Sequence, residues 1–236
     1  MRAVIIDGYV DEPGSLGVPP FMHPMVRAAY GAAIDAGCDV DLITIDHVRR
    51  NGLIPRAEFY LILSGCAVPG RYIRAMPASL REVLALTDRL PGRIVLGGPA
   101  ALERADLSRF DAATDKDPAA ALYDLITTGG WKTRWRTAKE WERWLMLGAD
   151  CAVFHPDFPQ PLIAEIDTYR GCVRYRSGGC SFCVEPLKGK PVFREPDGIV
   201  KEVTKLWQLG VRNFRLGSQT CIVSYKAHLD KTDVPR

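Results

Sequence analysis

Residues 162–183 read LIAEIDTYRGCVRYRSGGCSFC. The first five, LIAEI, form a short apolar run of the kind that makes a buried strand, and Asp167-Thr168 ends it. The chain then enters a loop with Cys172, Cys180 and Cys183 spaced C-x7-C-x2-C, and with glycines at 171, 178 and 179. A hydrophobic core scatters its cysteines along helices and strands and does not crowd three into one polar, glycine-rich loop. Metal chemistry requires that crowding. Several thiolates must converge on one centre, and glycine supplies the φ > 0 conformations that fold the loop back on itself. Residues 162–183 therefore predict a strand that delivers a metal-ligand loop.

Downstream, Pro196-Asp197 opens a helix through Ile199, Val200, Val203, Leu206 and Trp207, with Gly210 as its stop signal. Residues 211–216 (VRNFRL) read as the next strand, followed by Gly217-Ser218-Gln219. Strand, ligand loop, helix and strand make a βα unit, the opening of a barrel-like or open parallel sheet. Such folds put their chemistry at the carboxyl ends of the strands. Between Arg170 and Arg194, six cations (Arg170, Arg174, Arg176, Lys188, Lys190 and Arg194) face a single acid, Glu185. The run reads either as a solvated loop or as an attraction for an anionic ligand or RNA.

Upstream, Trp131, Trp135, Trp141 and Trp144 gather four of the five tryptophans, and Thr137-Ala138-Lys139-Glu140 matches a capping box that starts a helix over 137–147. Its aromatic face is expected to dock one domain on the next. His155 lies among apolar residues and reads as a packing side chain. Earlier still, residues 3–6 (AVII), 39–45 (DVDLITI), 58–63 (EFYLIL) and 93–96 (RIVL) read as strands, with a shorter fifth at 110–113. Helical patterns over 24–36, closed by Gly37, and over 77–90 and 118–126 alternate with them. That alternation predicts βαβ units and a parallel sheet covered on both faces. The expected class is α/β, with a Rossmann-like domain over residues 1–128, a Trp-rich linker and helix over 129–160, and a second unit over 161–236. The loop 11–20, with three prolines and two glycines, is expected to line a crevice at the end of the first strand. Cys38, Cys66 and Cys151 read as packing residues, and Cys221 as a strand-end packing residue or a thiol near the site.

Composition narrows the classes. The chain has 236 residues, 47% hydrophobic and 25% charged, which is an ordinary globular balance able to bury a core. A net charge of +3 is too small to argue for nucleic acid. The apolar run at the N-terminus breaks at Asp7, and no run of about 18 apolar residues suggests a membrane span. Seven clustered cysteines without a secretion signal favour reduced thiols and a cytoplasmic setting. No G-x-G-x-x-G or G-x-x-x-x-G-K-[ST] supports a nicotinamide or ATP site.

The segment 165–183, with its Arg170-Gly171-Cys172 entry and the Phe182-Cys183 pair, resembles the start of a radical S-adenosylmethionine enzyme. Most members use C-x3-C-x2-C. The longer first gap here, with SGGCSFC, looks like an uncharacterised, largely archaeal subfamily that joins a Rossmann-like N-terminal domain to a radical barrel and a C-terminal helix-hairpin-helix. Val4-Ile5-Ile6-Asp7-Gly8-Tyr9 and Gly17-Val18-Pro19-Pro20 look like that subfamily too. The resemblance implies a [4Fe-4S] cluster on Cys172, Cys180 and Cys183, with one iron left for S-adenosylmethionine. It places Phe182, Gly217, Ser218 and Gln219 beside that cofactor, although the usual Gly-Gly-Glu is here Gly-Ser-Gln. It further implies reductive cleavage to a 5′-deoxyadenosyl radical, a reductant such as ferredoxin or flavodoxin, and a substrate left open, with RNA as one candidate. In many relatives the N-terminal domain is cobalamin-binding-like, and Gly97-Gly98-Pro99 looks like the corresponding turn. The D-x-H-x-x-G cobalt motif is absent, so cobalamin stays an analogy. Only about 75 residues follow the first barrel strand, against on the order of 200 for a whole barrel. An incomplete barrel is therefore expected, either a truncated chain or one completed by a second chain. Two alternatives remain: a zinc module on the three cysteines with Cys221 or His155, and an inert cluster-binding fragment.

Overall fold

Continuously buried apolar runs dictate the first sheet. The computed structural model describes residues 1–10, 21–65, 76–103 and 105–226. Over the first half, β1 (Arg2–Asp7), α1 (Pro24–Asp35), β2 (Asp39–Thr44), α2 (Ile45–Asn51), β3 (Phe59–Leu63), α3 (Leu80–Thr87), β4 (Arg93–Gly97), β5 (Ala112–Thr114) and α4 (Pro118–Thr128) follow one another. The strands pair in parallel in the order β2-β1-β3-β4-β5. Side chains alternate between the two faces of a strand. Ala3 and Ile5 accordingly join an apolar cluster with α1 and α4, while Val4 and Ile6 join another with α2 and α3. This is the Rossmann-like parallel sheet, covered on both faces, that the strand–helix alternation predicts.

Boundaries shift where a side chain caps a helix. Thr44 Oγ1 accepts the His47 N–H at 3.3 Å, so Ile45 begins α2 instead of ending β2, and that short helix was absent from the expectation. Ser79 caps α3 in the same way. The loop 11–20 and Cys66 lie outside the described residues.

The second half runs α5 (Ala138–Gly148), β6 (Ile163–Ile166), β7 (Tyr169–Arg170), β8 (Val192–Phe193), α6 (Pro196–Leu209) and β9 (Asn213–Leu216). The capping box at Thr137 and Glu140 forms as expected. β6 and β9 pair in parallel. β7 and β8 form a two-residue antiparallel ladder that clamps the base of the cysteine loop, too short for any periodicity to announce.

Three sets of contacts around α1 help to bind the halves. Met22 bridges to Ala164, its N–H donating to Ile163 and its carbonyl accepting from Glu165. Helices α1 and α5 touch backbone to backbone through Gly31 and Gly148. A Cβ at Gly31 would stand 1.8 Å from the Trp144 carbonyl oxygen, and one at Gly148 1.7 Å from that of Arg27. Trp144, fully buried, packs 5.2 Å from Tyr123 and donates Nε1–H to Asp35, so the aromatic face of α5 does dock on the first sheet's helices. A buried chain of charges forms the third contact. Arg27 of α1 donates twice to Glu202 of α6 (3.0 and 2.7 Å), and Glu202 also accepts from Arg194 at 2.7 Å.

Candidate functional site

The cysteine loop turns on its glycines. Gly171, Gly178 and Gly179 hold φ of 88°, 80° and 71°. At Gly171 a side chain would also strike the Gly189 carbonyl, which lies 2.6 Å from an ideal Cβ. The loop closes there, with the Cys172 N–H donating to Gly189 at 3.2 Å. Cys172 is buried and Cys180 and Cys183 are half-buried, all three as free thiols. Arg174 reaches two of them: its N–H donates to Cys172 Sγ at 3.3 Å and its guanidinium to Cys180 Sγ at 3.5 Å. In kind, the donors fit an iron–sulfur cluster, which takes thiolates from one such loop. In arrangement they do not yet form a cage, since among the described residues no three His, Cys, Asp or Glu side chains could share a metal. Phe182, beside Cys183, is 88% exposed.

The turn after β9 comes to this loop. Thr220 Oγ1 donates to the Gly171 carbonyl at 2.7 Å, and the Tyr169 hydroxyl exchanges hydrogen bonds with the backbone of Cys221 (2.7 and 2.8 Å). Cys172 and the Gly217-Ser218-Gln219 turn, far apart in sequence, are thus tied through β7. The Gln219 amide turns back on the backbone of Gly217, its NH2 donating to the Gly217 carbonyl. Cys221 itself is exposed, correcting its reading as a packing residue; hydrogen bonds from Ser224 and Val223 hold its thiol below the ordinary cysteine value. Cys38 and Cys151 are buried as expected. His155 is buried too, its Nδ1 accepting the Asp157 N–H.

Around Ser218 the structure builds a polar cluster that the sequence reading did not assemble. Ser218 Oγ donates to Glu165 Oε1 at 2.5 Å and stands 2.8 Å from His23 Nε2. Arg215 donates to Glu165 Oε2, Nε at 2.8 Å. Glu165 is 2% exposed; burial opposes its ionisation, yet Ser218 and Arg215 hold its carboxyl below the usual glutamate range. A charged His23 would assist, but burial pushes that imidazole down to about 4, so near neutral pH it contributes an N–H and no charge. Gly217 must be glycine, because a Cβ there would fall 2.4 Å from the Glu165 carboxylate. Ser218 sits at φ 58°, a left-handed conformation uncommon outside glycine.

Two cavities flank this cluster. One, about 80 Å³, lies between the carboxyl end of the first sheet (Asp115, Lys116, Asp117) and Trp135, Trp141, Asp167 and Arg170. The other, about 270 Å³, is lined by Phe21, Glu165, Arg215, Leu216 and Gly217. His23 and Ser218 line both.

The basic run needs correction. Arg194, 2% exposed, belongs to the buried charge chain with Glu142, Asp167 and Glu202. The Arg170 guanidinium lies 4.7 and 5.1 Å from the ring centres of Trp135 and Trp141, and Lys188 pairs with Glu185. Arg194, Arg170 and Lys188 are thus engaged within the fold, and the run is not a single patch. At the rim of the first sheet, Asp7 is buried with Oδ1 accepting the Tyr9 N–H and Oδ2 unpartnered. Burial pushes its carboxyl up to about 7. Among the described residues no helix is long and apolar enough to cross a membrane.

No family model matches the chain. Along its whole length it is 38% identical to an uncharacterized protein of Methanocaldococcus jannaschii and 37% identical to one of Archaeoglobus fulgidus. It spans 47% and 43% of those proteins, about half the length of the curated relatives it matches. Among solved structures it is similar to the radical S-adenosylmethionine methyltransferase TsrM of Kitasatospora setae. The form with cobalamin and a [4Fe-4S] cluster bound gives a TM-score of 0.60 at 17% identity over 93% of this chain and 48% of that one. The form with tryptophan and the analogue aza-SAM gives 0.59, also at 17% identity, over 93% and 47%. At that identity what the two share is the fold.

Proposed function

We propose that this chain is a radical S-adenosylmethionine protein that holds a [4Fe-4S] cluster on Cys172, Cys180 and Cys183 and reductively cleaves S-adenosylmethionine to a 5′-deoxyadenosyl radical. The observation that carries this reading is the set of three free thiols on one glycine-turned loop, set at the carboxyl end of a strand in a chain with the TsrM fold. Three thiolates leave one iron of a four-iron cluster without a protein ligand, and that open position suits a chelating cofactor. When bound, the cluster supplies the electron that breaks the carbon–sulfur bond. The chain's own residues do the rest. The loop presents the thiolates, the hairpin of β7 and β8 fixes its base, and Gly217, Ser218 and Gln219 form the wall against which the cofactor's amino end rests. Phe182 lies exposed beside Cys183 and would neighbour a bound cluster. A cluster held by the three thiolates would take Cys180 from the Arg174 guanidinium that contacts it in the free loop.

Anaerobic reconstitution tests the reading. It should yield about four iron and four sulfide per chain, with the broad visible absorption of such clusters. Cys172→Ser, Cys180→Ser and Cys183→Ser should each remove most of the iron. With S-adenosylmethionine and dithionite the loaded protein should release 5′-deoxyadenosine. One zinc and no sulfide would replace this reading with a structural metal module, and a loaded protein that forms no 5′-deoxyadenosine would leave an inert cluster carrier.

A further inference from the structure

A guanidinium that leaves water needs its charge and its donors met. Among the described arginines that are buried or half-buried, Arg27, Arg93, Arg134, Arg136, Arg194 and Arg215 each pair with a carboxylate. Arg170 is the exception. Its guanidinium stacks on Trp135 and Trp141, and Nη1 donates to the Arg136 carbonyl at 3.4 Å. Stacking satisfies the faces of the cation and leaves its edge. Of five N–H donors, that one bond engages a single N–H among the described residues. Arg170 lines the cavity of about 80 Å³ at the carboxyl end of the first sheet, which has room for a small polar group. The other charges around that cavity mostly cancel. Asp117 is matched by Arg136, Asp167 by Arg194 and Lys188 by Glu185. Left over are Arg170, the exposed Lys116 and the exposed Asp115, two cations against one acid, none of them in an ion pair among the described residues.

We propose that this cavity is a binding site for the carboxylate of a small organic acid, with Arg170 as its partner. A guanidinium fork matches the two oxygens of a carboxylate. One negative charge completes the balance. A dianion such as sulfate or phosphate exceeds it and meets Asp115, Asp117 and Asp167 as like charges. The site joins the first sheet, through Lys116 and Asp115, to the entry of the cysteine loop, since Arg170 stands two residues before Cys172. Assigning the acid as the substrate rests on the function proposed above; its binding needs no cluster.

Acetate is the probe. Trp141 donates its indole N–H to Asp167 on the cavity wall at 3.2 Å, so its NMR signal reports on the site. In the metal-free chain at constant ionic strength, acetate should shift that signal saturably, with Kd in the millimolar range. Chloride should give no saturable shift, and sulfate should bind several-fold more weakly than acetate. Arg170→Gln should weaken acetate by about tenfold or more, and Arg170→Lys, which keeps the charge but not the fork, several-fold. Asp115→Asn removes the opposing charge at the rim and should tighten acetate by about two- to fivefold. Equal, unsaturable shifts from all three anions, or wild-type affinity in Arg170→Gln, overturn the proposal. Should Arg170→Gln not fold, an unchanged or weaker affinity in Asp115→Asn overturns it instead. In the reconstituted protein, saturating S-adenosylmethionine should leave the binding of trifluoroacetate, read by fluorine NMR, intact. Loss of that binding would make the cavity part of the cofactor's own site and overturn the assignment. Acetate binding in a chain that takes up no cluster upholds the site, while the functional reading and the acid's role as substrate fall.

Discussion

In the first sheet, Val4, Ile6, Tyr60 and Ile62 on one face and Ile5, Leu61 and Leu63 on the other are fully buried in apolar clusters. In the second, β6 buries Glu165 beside Ala164, and the residues of β9 are exposed or half-buried. Beside the apolar and backbone contacts that dock it, its attachment to the rest of the molecule includes buried ionic contacts. Arg27, Glu202 and Arg194, all 2% exposed or less, form a chain that ends on Asp167 and Glu142. The first sheet is therefore held by buried area, at about 1.5–3 kcal/mol per large apolar side chain. The second is positioned by hydrogen-bonded charges, which define geometry without contributing comparable net stability. A sheet that carries a cofactor turn gains from this arrangement, since charge pairs fix where Asp167 and Glu165 point.

Removing the shared carboxylate is the strongest way to break the contrast. Glu202→Ala leaves Arg27 and Arg194 buried with one common partner gone, and should cost about 3–5 kcal/mol in denaturant unfolding. Ile5→Val, a deletion of one methyl from the first sheet's core, should cost about 0.5–1.5 kcal/mol. Equal losses from the two variants would show that the charge chain is not what holds the second sheet.

The same contrast decides what the sequence could convey. The first sheet was legible because continuous apolar strands alternating with amphipathic helices have a period that any window reveals. Its errors came at caps such as Thr44, where one hydroxyl turns an apparent strand end into a helix start. The cysteine loop was legible through spacing and glycine, two local signals, and the capping box of α5 was a third. The charge chain was not legible. Arg27 and Glu202 are 175 residues apart, and a Glu within α6 reads as a solvated face until its partner is seen. His23 and Ser218, 195 residues apart, present the same difficulty. Arg194 failed for a related reason: its neighbours in sequence are cations, but its neighbours in space are acids.

Two titratable groups sharpen the comparison by pulling in opposite directions. Asp7, in the first sheet, has its carboxyl raised to about 7 by burial. The folded chain keeps that proton longer than the unfolded one, so the stability it allows is complete below about pH 4 and is lost as pH rises toward 7, on the order of 4 kcal/mol at most. His23, against the second sheet, is lowered to about 4. Its contribution is complete above about pH 6.5 and is lost as pH falls toward 4, on the order of 3 kcal/mol. Asp7→Asn should remove the part of the melting temperature that falls as pH rises from about 4 to 7 and leave the part lost toward acid untouched. His23→Asn should do the reverse. A profile that Asp7→Asn leaves unchanged would mean the carboxyl is ionised in the folded state and has found a partner.

Gly148→Ala probes the seam where the two modes of attachment meet. The added methyl would point at the Arg27 carbonyl oxygen 1.7 Å away, and backbone offers no flexible end that can step aside. Helices α1 and α5 must separate, at about 1–3 kcal/mol for an overpacked contact. That separation also displaces Arg27, whose guanidinium holds Glu202 and the Met22 and Glu165 carbonyls. The helix seam and the charge chain are then one mechanical unit, and their costs cannot be independent. Combined with Glu202→Ala, the loss should fall short of the sum of the single variants by about 0.5 kcal/mol or more, the mark of coupled sites. Strict additivity would show that the seam and the charge chain hold the second sheet independently.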